Sequence, residues 1–272
     1  MFIQRALLTL ILGPIALLLI YLGGLFYFIP IALVLLFATW EYTRMMRRLA
    51  VVTPFWLLLP AVALQWIVAQ WGLTAVADLL LFFSLLAFMT FALFSFERGR
   101  QGVTASWWAL SGGFLLLGWV CAHFFRLRLL PDSGMEWAML AMLATWFADS
   151  GAYLVGKFAA GRFGLGRHRL SPRLSPNKTI EGFLGGVLLA SGLTVLVASW
   201  LSFPLQMAFV LALAVGLLSP LGDLGISLLK RESGIKDSGT LFRGHGGALD
   251  RVDSLMWAVA IAYYLAIYFP VS

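Results

Sequence analysis

Charge is what this chain has least of. Of its 272 residues only 11% are charged, against 61% hydrophobic, whereas a soluble domain carries about 25% charged residues. Such a composition cannot cover a water-exposed surface of this size. Cysteine is nearly absent as well. The lone Cys121 excludes an internal disulfide and any cysteine-cluster metal site, and its apolar surroundings make it a small hydrophobic residue. Internal repeats and low-complexity tracts are missing too. The formal charge of +7 does not point to nucleic acid, because basic and aromatic residues do not interleave in a soluble patch.

What the chain has instead is apolar runs of about 20 residues, the length that crosses a bilayer core. Apolar length and breaker residues mark nine candidate spans, near 5–22, 24–40, 54–71, 75–96, 107–125, 136–156, 180–200, 204–229 and 254–270. The expected fold class is an all-α integral membrane protein of about nine transmembrane helices. The apolar stretch after Arg5 lacks a small-x-small cleavage site followed by a soluble domain, and reads as an uncleaved first span. Basic loops stay in the cytoplasm. With the N-terminus inside and nine crossings, 17 of the 19 Lys and Arg residues fall on the cytoplasmic side, leaving only Arg126 and Arg128 outside. The expectation is therefore an N-in, C-out protein of the cytoplasmic (inner) membrane.

The two halves differ. Residues 1–100 read as an anchor and scaffold region without polar residues arranged for chemistry. Residues 101–272 read as the catalytic region, with cytoplasmic loops 157–179 and 230–253. Here charges enter the spans, and a carboxylate inside a span is costly unless it faces a cavity, a partner or a metal. Asp149 is followed by Tyr153 and Lys157 on one helical face, and Asp223 by Ser227, Lys230 and Arg231. Either face alone fits a helix-to-helix salt bridge as well as it fits function. Two such faces leading into basic loops predict a shared polar cavity open to the cytoplasm. In "SPNKTIEG" the spacing predicts a Lys178–Glu181 pair one helical turn apart at a span entrance.

The densest charge lies in "KRESGIKDSGTLFRGHGGALDRVDS", residues 230–254, which holds nine charged residues between apolar flanks. Asp250 and Asp253 are three apart at the start of the last span, so they are expected on one face of a helix N-terminus. Carboxylates so placed can hold Mg²⁺ together with waters and substrate phosphates. Lys230, Arg231, Lys236 and Arg251 suit phosphate oxygens. Gly244, Gly246 and Gly247 let backbone amides approach an anion. This mixture matches the needs of phosphoryl transfer. A solvated, self-neutralising loop and an ion-coupled carrier using Asp149 and Asp223 are the other readings of the same residues.

"SLLKRESGIKDSGTLFRGHGGALDRVDS" resembles the signature of the phosphatidate cytidylyltransferases, or CDP-diacylglycerol synthases. The signature positions are Ser227, Lys230, Arg231, Lys236, Asp237, His245, Gly246, Gly247, Asp250, Arg251 and Asp253. Upstream, "SPNKTIEGFLGG" is similar to a second family motif through Ser175, Lys178, Thr179 and Glu181, with Asn177 in place of a lysine. "ADSGAYLVGKFAAG", with Asp149 and Tyr153, is similar to a third. The strong resemblance covers roughly residues 146–257. One departure is Arg243, where the family usually has proline before Gly244.

The resemblance implies the reaction of CTP with phosphatidic acid to give CDP-diacylglycerol and pyrophosphate, in a Mg²⁺-dependent, multi-helical homodimer among membrane lipids. It implies Asp223, Asp250 and Asp253 as metal ligands, with a second cation at Asp149 or Asp237. It implies Lys178, Lys230, Arg231, Lys236 and Arg251 as phosphate-binding groups, with His245 and its glycines shaping the pocket. A polyprenol-kinase-like lipid phosphotransferase would use the same ingredients.

Overall fold

The computed structural model describes residues 2–162, 165–239 and 246–270, and the side chains from residue 12 onward within them. Each of the nine apolar segments lies on helix. These are α1 (Phe2–Leu22), α2 (Gly24–Arg48), α3 (Phe55–Gln70), α4 (Thr74–Glu97), α5 (Val103–Gly113) running on through α6 (His123–Arg128), α7 (Gly134–Leu154), α8 (Ile180–Trp200), α9 (Leu205–Glu232) and, after the four-residue α10 (Leu249–Val252), α11 (Leu255–Tyr268). Among the described residues six helical stretches are long and apolar enough to cross a membrane: Gly24–Arg48, Thr74–Glu97, Val103–Arg128, Gly134–Ala159, Ile180–Trp200 and Leu205–Glu232. The 16 residues of α3 and the 14 of α11 reach only about 24 and 21 Å at 1.5 Å per residue, short of a core about 30 Å thick.

Two helices run further than the apolar pattern predicts. α2 continues eight residues past position 40, and α9 to Glu232. The cause is the same in both. Their last turns carry Arg47 and Arg48, and Lys230 and Arg231, cations that suit the negative end of the helix dipole and can extend their heads toward water.

The chain forms two compact units, Met1–Leu129 with Leu229–Val252, and Leu130–Leu228 with Asp253–Ser272. In the first unit, buried donors tie helices to carbonyls. The Tyr27 hydroxyl donates to the Phe124 carbonyl at 3.2 Å, Tyr42 to Ala109 at 2.7 Å and the Trp66 indole to Leu117 at 2.7 Å. Away from water each of these groups needs an acceptor. Leu117 lies in a π-helical stretch, Phe114–Val120, between α5 and α6. Arg128 donates to the Ile20 and Tyr21 carbonyls at 2.7 and 3.3 Å, in the last turn of α1 where carbonyls lack helical donors.

In the second unit α7 and α8 meet almost backbone to backbone. A Cβ on Gly182 would stand 2.7 Å from the Ala152 carbonyl oxygen, and one on Gly186 2.6 Å from that of Ala148. Small residues four apart are the usual device for close helix contact in lipid. α7 runs on in π-helical geometry through Val155–Ala159. The loop expected over 157–179 contains a short antiparallel ribbon, β1 (Arg169–Ser171) and β2 (Ser175–Thr179), with Arg169 opposite Thr179 and Ser171 opposite Ser175. An all-α reading missed these eight residues because they lack the alternating apolar pattern of a strand. The Thr179 hydroxyl then accepts from the Gly182 amide at 3.0 Å, which caps α8.

The α7–α8 seam gives a direct prediction. Gly186→Val should overpack it and cost about 1–3 kcal/mol, lowering the thermal midpoint of detergent-purified protein by several degrees. An unchanged midpoint would show that the seam tolerates added volume.

Candidate active site

The first unit gathers the second half of the signature around Asp250. Its Oδ1 accepts from the Lys230 ammonium at 2.6 Å, and its Oδ2 from the Ser238 amide at 2.8 Å and the Gly247 amide at 2.9 Å, with the Ser238 hydroxyl also 2.9 Å away. The pair is well covered, with side chains 11% and 8% exposed. Gly246 holds a positive φ of 81°, the conformation that only glycine adopts freely, and it carries the chain to the Gly247 amide.

Burial alone would raise the Asp250 carboxyl. The hydrogen bonds from Lys230 and from the Gly247 and Ser238 amides outweigh burial and hold the group below its ordinary value of 3.8. Lys236 and Asp237 are exposed and line a separate pocket of about 330 Å³ with Arg44, Arg48, Ser238 and Gly239. Arg231 and Arg251 are also exposed. His245 and Arg243 lie outside the described residues.

The second unit brings the other two motifs together. Lys178, at the end of β2, forms an ion pair with Asp223 of α9. Ser227 donates to the other Asp223 oxygen at 3.3 Å, as their spacing of four predicts. Lys178 also lines a cavity of about 250 Å³ with Asp149, Tyr153, Thr179, Gly216 and Pro220. Pro220 has no N–H for the carbonyl four residues back, Gly216, so α9 lacks one rung of its hydrogen-bond ladder where it borders this cavity. Lys157 donates to the Tyr153 hydroxyl at 2.7 Å, again as predicted for residues four apart. Ser175 begins β2.

Two expected pairings are replaced. Glu181 does not reach back to Lys178. It accepts from the His168 amide at 3.1 Å, and its other oxygen lies 2.6 Å from the His168 ring. Lys178 is in extended β2, before α8 begins at Ile180, so the helical spacing does not apply to it. Asp250 and Asp253 do not share a helix either. α10 ends at Val252, and the Asp253 Oδ1 accepts from the Ser254 amide at 2.7 Å, a local turn that separates α10 from α11.

Residues 3–269 match the family described as the Cytidylyltransferase family. The chain belongs to that family. Among its relatives, a protein of Bacillus subtilis (strain 168) named phosphatidate cytidylyltransferase is 38% identical over 160 residues, 56% of this chain and 57% of the relative. Namesakes from Staphylococcus haemolyticus (strain JCSC1435) and Staphylococcus aureus (strain COL) are 36% identical over 147 residues and 39% over 138. These matches take in 53% and 50% of this chain and 53% and 51% of the relatives. The chain thus spans about half the length of the curated relatives it matches.

Both clusters hold an ammonium beside a carboxylate. In each the carboxylate fixes the direction of the lysine side chain. Among the described residues no three His, Cys, Asp or Glu side chains converge as a metal group. Mg²⁺ asks less of a protein, since one or two carboxylates suffice when phosphates and waters complete its shell. Asp223 fits that role, being 29% exposed with Lys178 and Ser227 orienting it. Asp250 has both oxygens already engaged by donors.

Sequence reasoning missed Glu41, Ser238 and His168. Glu41 on α2 is 1% exposed, and it accepts from the Ser238 hydroxyl at 2.7 Å and the Ala248 and Leu249 amides at 3.0 and 2.9 Å. Ending the second span at residue 40 left Glu41 just outside it. With α2 running to Arg48, Glu41 becomes a carboxylate within a helix long and apolar enough to cross a membrane, the setting that singled out Asp149 and Asp223.

Two outcomes follow for Asp250. Lys230→Met leaves the buried carboxylate without its cation and should destabilise the protein by about 3–5 kcal/mol at neutral pH, read as a lowered unfolding midpoint. A folded pKa below the unfolded one contributes stability that is complete above the unfolded value and is lost as pH falls through the folded value. The wild-type midpoint should therefore fall with pH below about 4, and Asp250→Asn should flatten that acid limb.

Proposed function

We propose that this protein is a phosphatidate cytidylyltransferase of the cytoplasmic membrane, making CDP-diacylglycerol and pyrophosphate from CTP and phosphatidate. The observation that carries the reading is the Lys178–Asp223 pair, which joins two separately recognised sequence motifs through a lysine that lines a cavity. The names of the similar bacterial proteins support the substrate assignment. The excess of Lys and Arg in the loops between alternate spans supports the N-in arrangement, with the reacting groups on the cytoplasmic side. We count α1, α3 and α11 among nine crossings on the same ground, because their apolar residues need cover even where their length is short.

The reaction needs little covalent help from the protein. An oxygen of the phosphatidate phosphate, already anionic near neutral pH, attacks the α-phosphorus of CTP. The bond from that phosphorus to the oxygen bridging to the β-phosphate breaks, and pyrophosphate leaves with the electron pair. The obstacle is repulsion between two anions, so catalysis consists of bringing them together and neutralising charge.

Lys178 would bind a phosphate oxygen at the polar end of its cavity, whose apolar wall of Ala148, Ala152, Phe183 and Gly186 suits the glycerol and first acyl carbons of the lipid. Lys230, held by Asp250, would bind phosphate in its own cluster. Asp223 would hold Mg²⁺, which supplies charge neutralisation on the triphosphate. The exposed Arg231, Lys236 and Arg251 would attract the polyanionic nucleotide from solution.

Purified protein given CTP, phosphatidate and Mg²⁺ should form CDP-diacylglycerol and pyrophosphate in equal amounts. Lys178→Met and Asp223→Asn should each lower turnover by about a hundredfold or more, in line with the loss of one preorganised charge. A phosphorylated lipid appearing with a nucleoside diphosphate would sink the assignment in favour of a lipid kinase.

A further inference from the structure

Glu41 has no place in the chemistry described above, yet it is the most enclosed carboxylate among the described residues. It sits 198 residues before Gly239 in the chain and belongs to a helix whose sequence reads as an anchor. Its oxygens accept from the Ser238 hydroxyl at 2.7 Å, the Ala248 amide at 3.0 Å and the Leu249 amide at 2.9 Å. Those three donors lie on both sides of the signature's Gly-His-Gly-Gly. The backbone has been thinned to let the carboxylate in. A Cβ on Gly239 would collide with Glu41, and one on Gly247 with both Glu41 oxygens and the Ser238 hydroxyl.

One of these donors, the Ser238 hydroxyl, also leads directly to Asp250. The Ser238 hydroxyl that meets Glu41 stands 2.9 Å from Asp250 Oδ2, and the Ser238 and Gly247 amides donate to that same oxygen. Asp250 in turn holds Lys230 at 2.6 Å. Glu41, Ser238, Asp250 and Lys230 thus form one continuous chain of hydrogen bonds, with Glu41 at the end away from the ammonium.

We propose that Glu41 is a positioning residue: from α2 it clasps the signature at Ser238 and at Ala248–Leu249, and so fixes where Asp250 presents Lys230 to a phosphate. It acts through Asp250 and does not touch substrate. A glutamine cannot replace it fully. Both carboxylate oxygens receive N–H donors, so the amide –NH₂ of glutamine would face a backbone N–H on one side or the other. An alanine removes the clasp, and a displacement of the reacting groups by about 1 Å costs about a hundredfold in rate.

The consequence for turnover rests on the proposed cytidylyl transfer; the clasp does not. The test therefore has two arms on the full-length protein in detergent. In the first, hydrogen–deuterium exchange follows the amides of Ala248 and Leu249. Glu41→Gln and Glu41→Ala should raise their exchange by tenfold or more, while the buried backbone of α7 stays as protected as in the wild type.

In the second arm, kcat and KM for CTP and phosphatidate are measured. Glu41→Ala should lower kcat by about a hundredfold with KM for both substrates changed less than threefold, and Glu41→Gln should fall between Ala and the wild type. Tyr42→Phe serves as the control, because it removes a partly buried hydrogen bond of the same helix, to Ala109 at 2.7 Å, without touching the signature. It should keep kcat within about twofold. Unchanged exchange at Ala248 and Leu249 in Glu41→Gln overturns the proposal, as does a Glu41→Ala kcat no lower than that of Tyr42→Phe. If the wild type makes no CDP-diacylglycerol, the functional reading fails, and the exchange arm alone decides the clasp.

Discussion

A carboxylate withdrawn from water must be met by donors, and in a chain this apolar few donors are available. That constraint organises both units. Asp250 collects an ammonium, two amides and a hydroxyl; Glu41 collects two amides and shares that hydroxyl; Asp223 collects an ammonium and a hydroxyl. The signature's backbone follows the course that delivers these donors. Its glycines stand where the amides must come close, and Ser238 stands where two carboxylates can reach one hydroxyl. Lys178 and Lys230 owe their placement to the same rule, because each is the cation that a buried or half-buried acid requires.

This explains the unusual makeup of residues 230–254. Dense charge among apolar flanks is unstable if unpaired, yet a site for polyphosphate needs cations that can be released. Holding Lys230 on Asp250 would satisfy both demands. On the proposed reading the pairing orients the ammonium before substrate arrives, and a phosphate would bring the negative charge that replaces the carboxylate.

Much of this was legible in the sequence, though unevenly. Helix positions followed from apolar run length, and the two i, i+4 contacts, Asp223–Ser227 and Tyr153–Lys157, followed from helical geometry alone. Failures came where geometry was assumed to continue past the end of an element. Lys178 and Glu181 were paired by helical spacing although Lys178 is in a strand, and Asp250 and Asp253 were placed on one helix that in fact stops between them. The long-range partners, Glu41 with Ser238 and Lys178 with Asp223, leave no trace in local spacing. Glu41 was still findable from its place in "FATWEYTRMM", an acid in a run that helical residues continue on both sides. Trimming the span at its first charge hid it.

The seam between α7 and α8 carries a thermal consequence. Around Gly182 and Gly186 the helices are held by contact between backbones, not by expulsion of water, since lipid tails solvate apolar side chains as well as protein does. Hydrophobic association in water weakens on cooling. Dispersion between close-packed atoms has no such dependence on water. The wall beside Lys178 should therefore keep its shape in the cold, where a water-driven core of similar size begins to loosen.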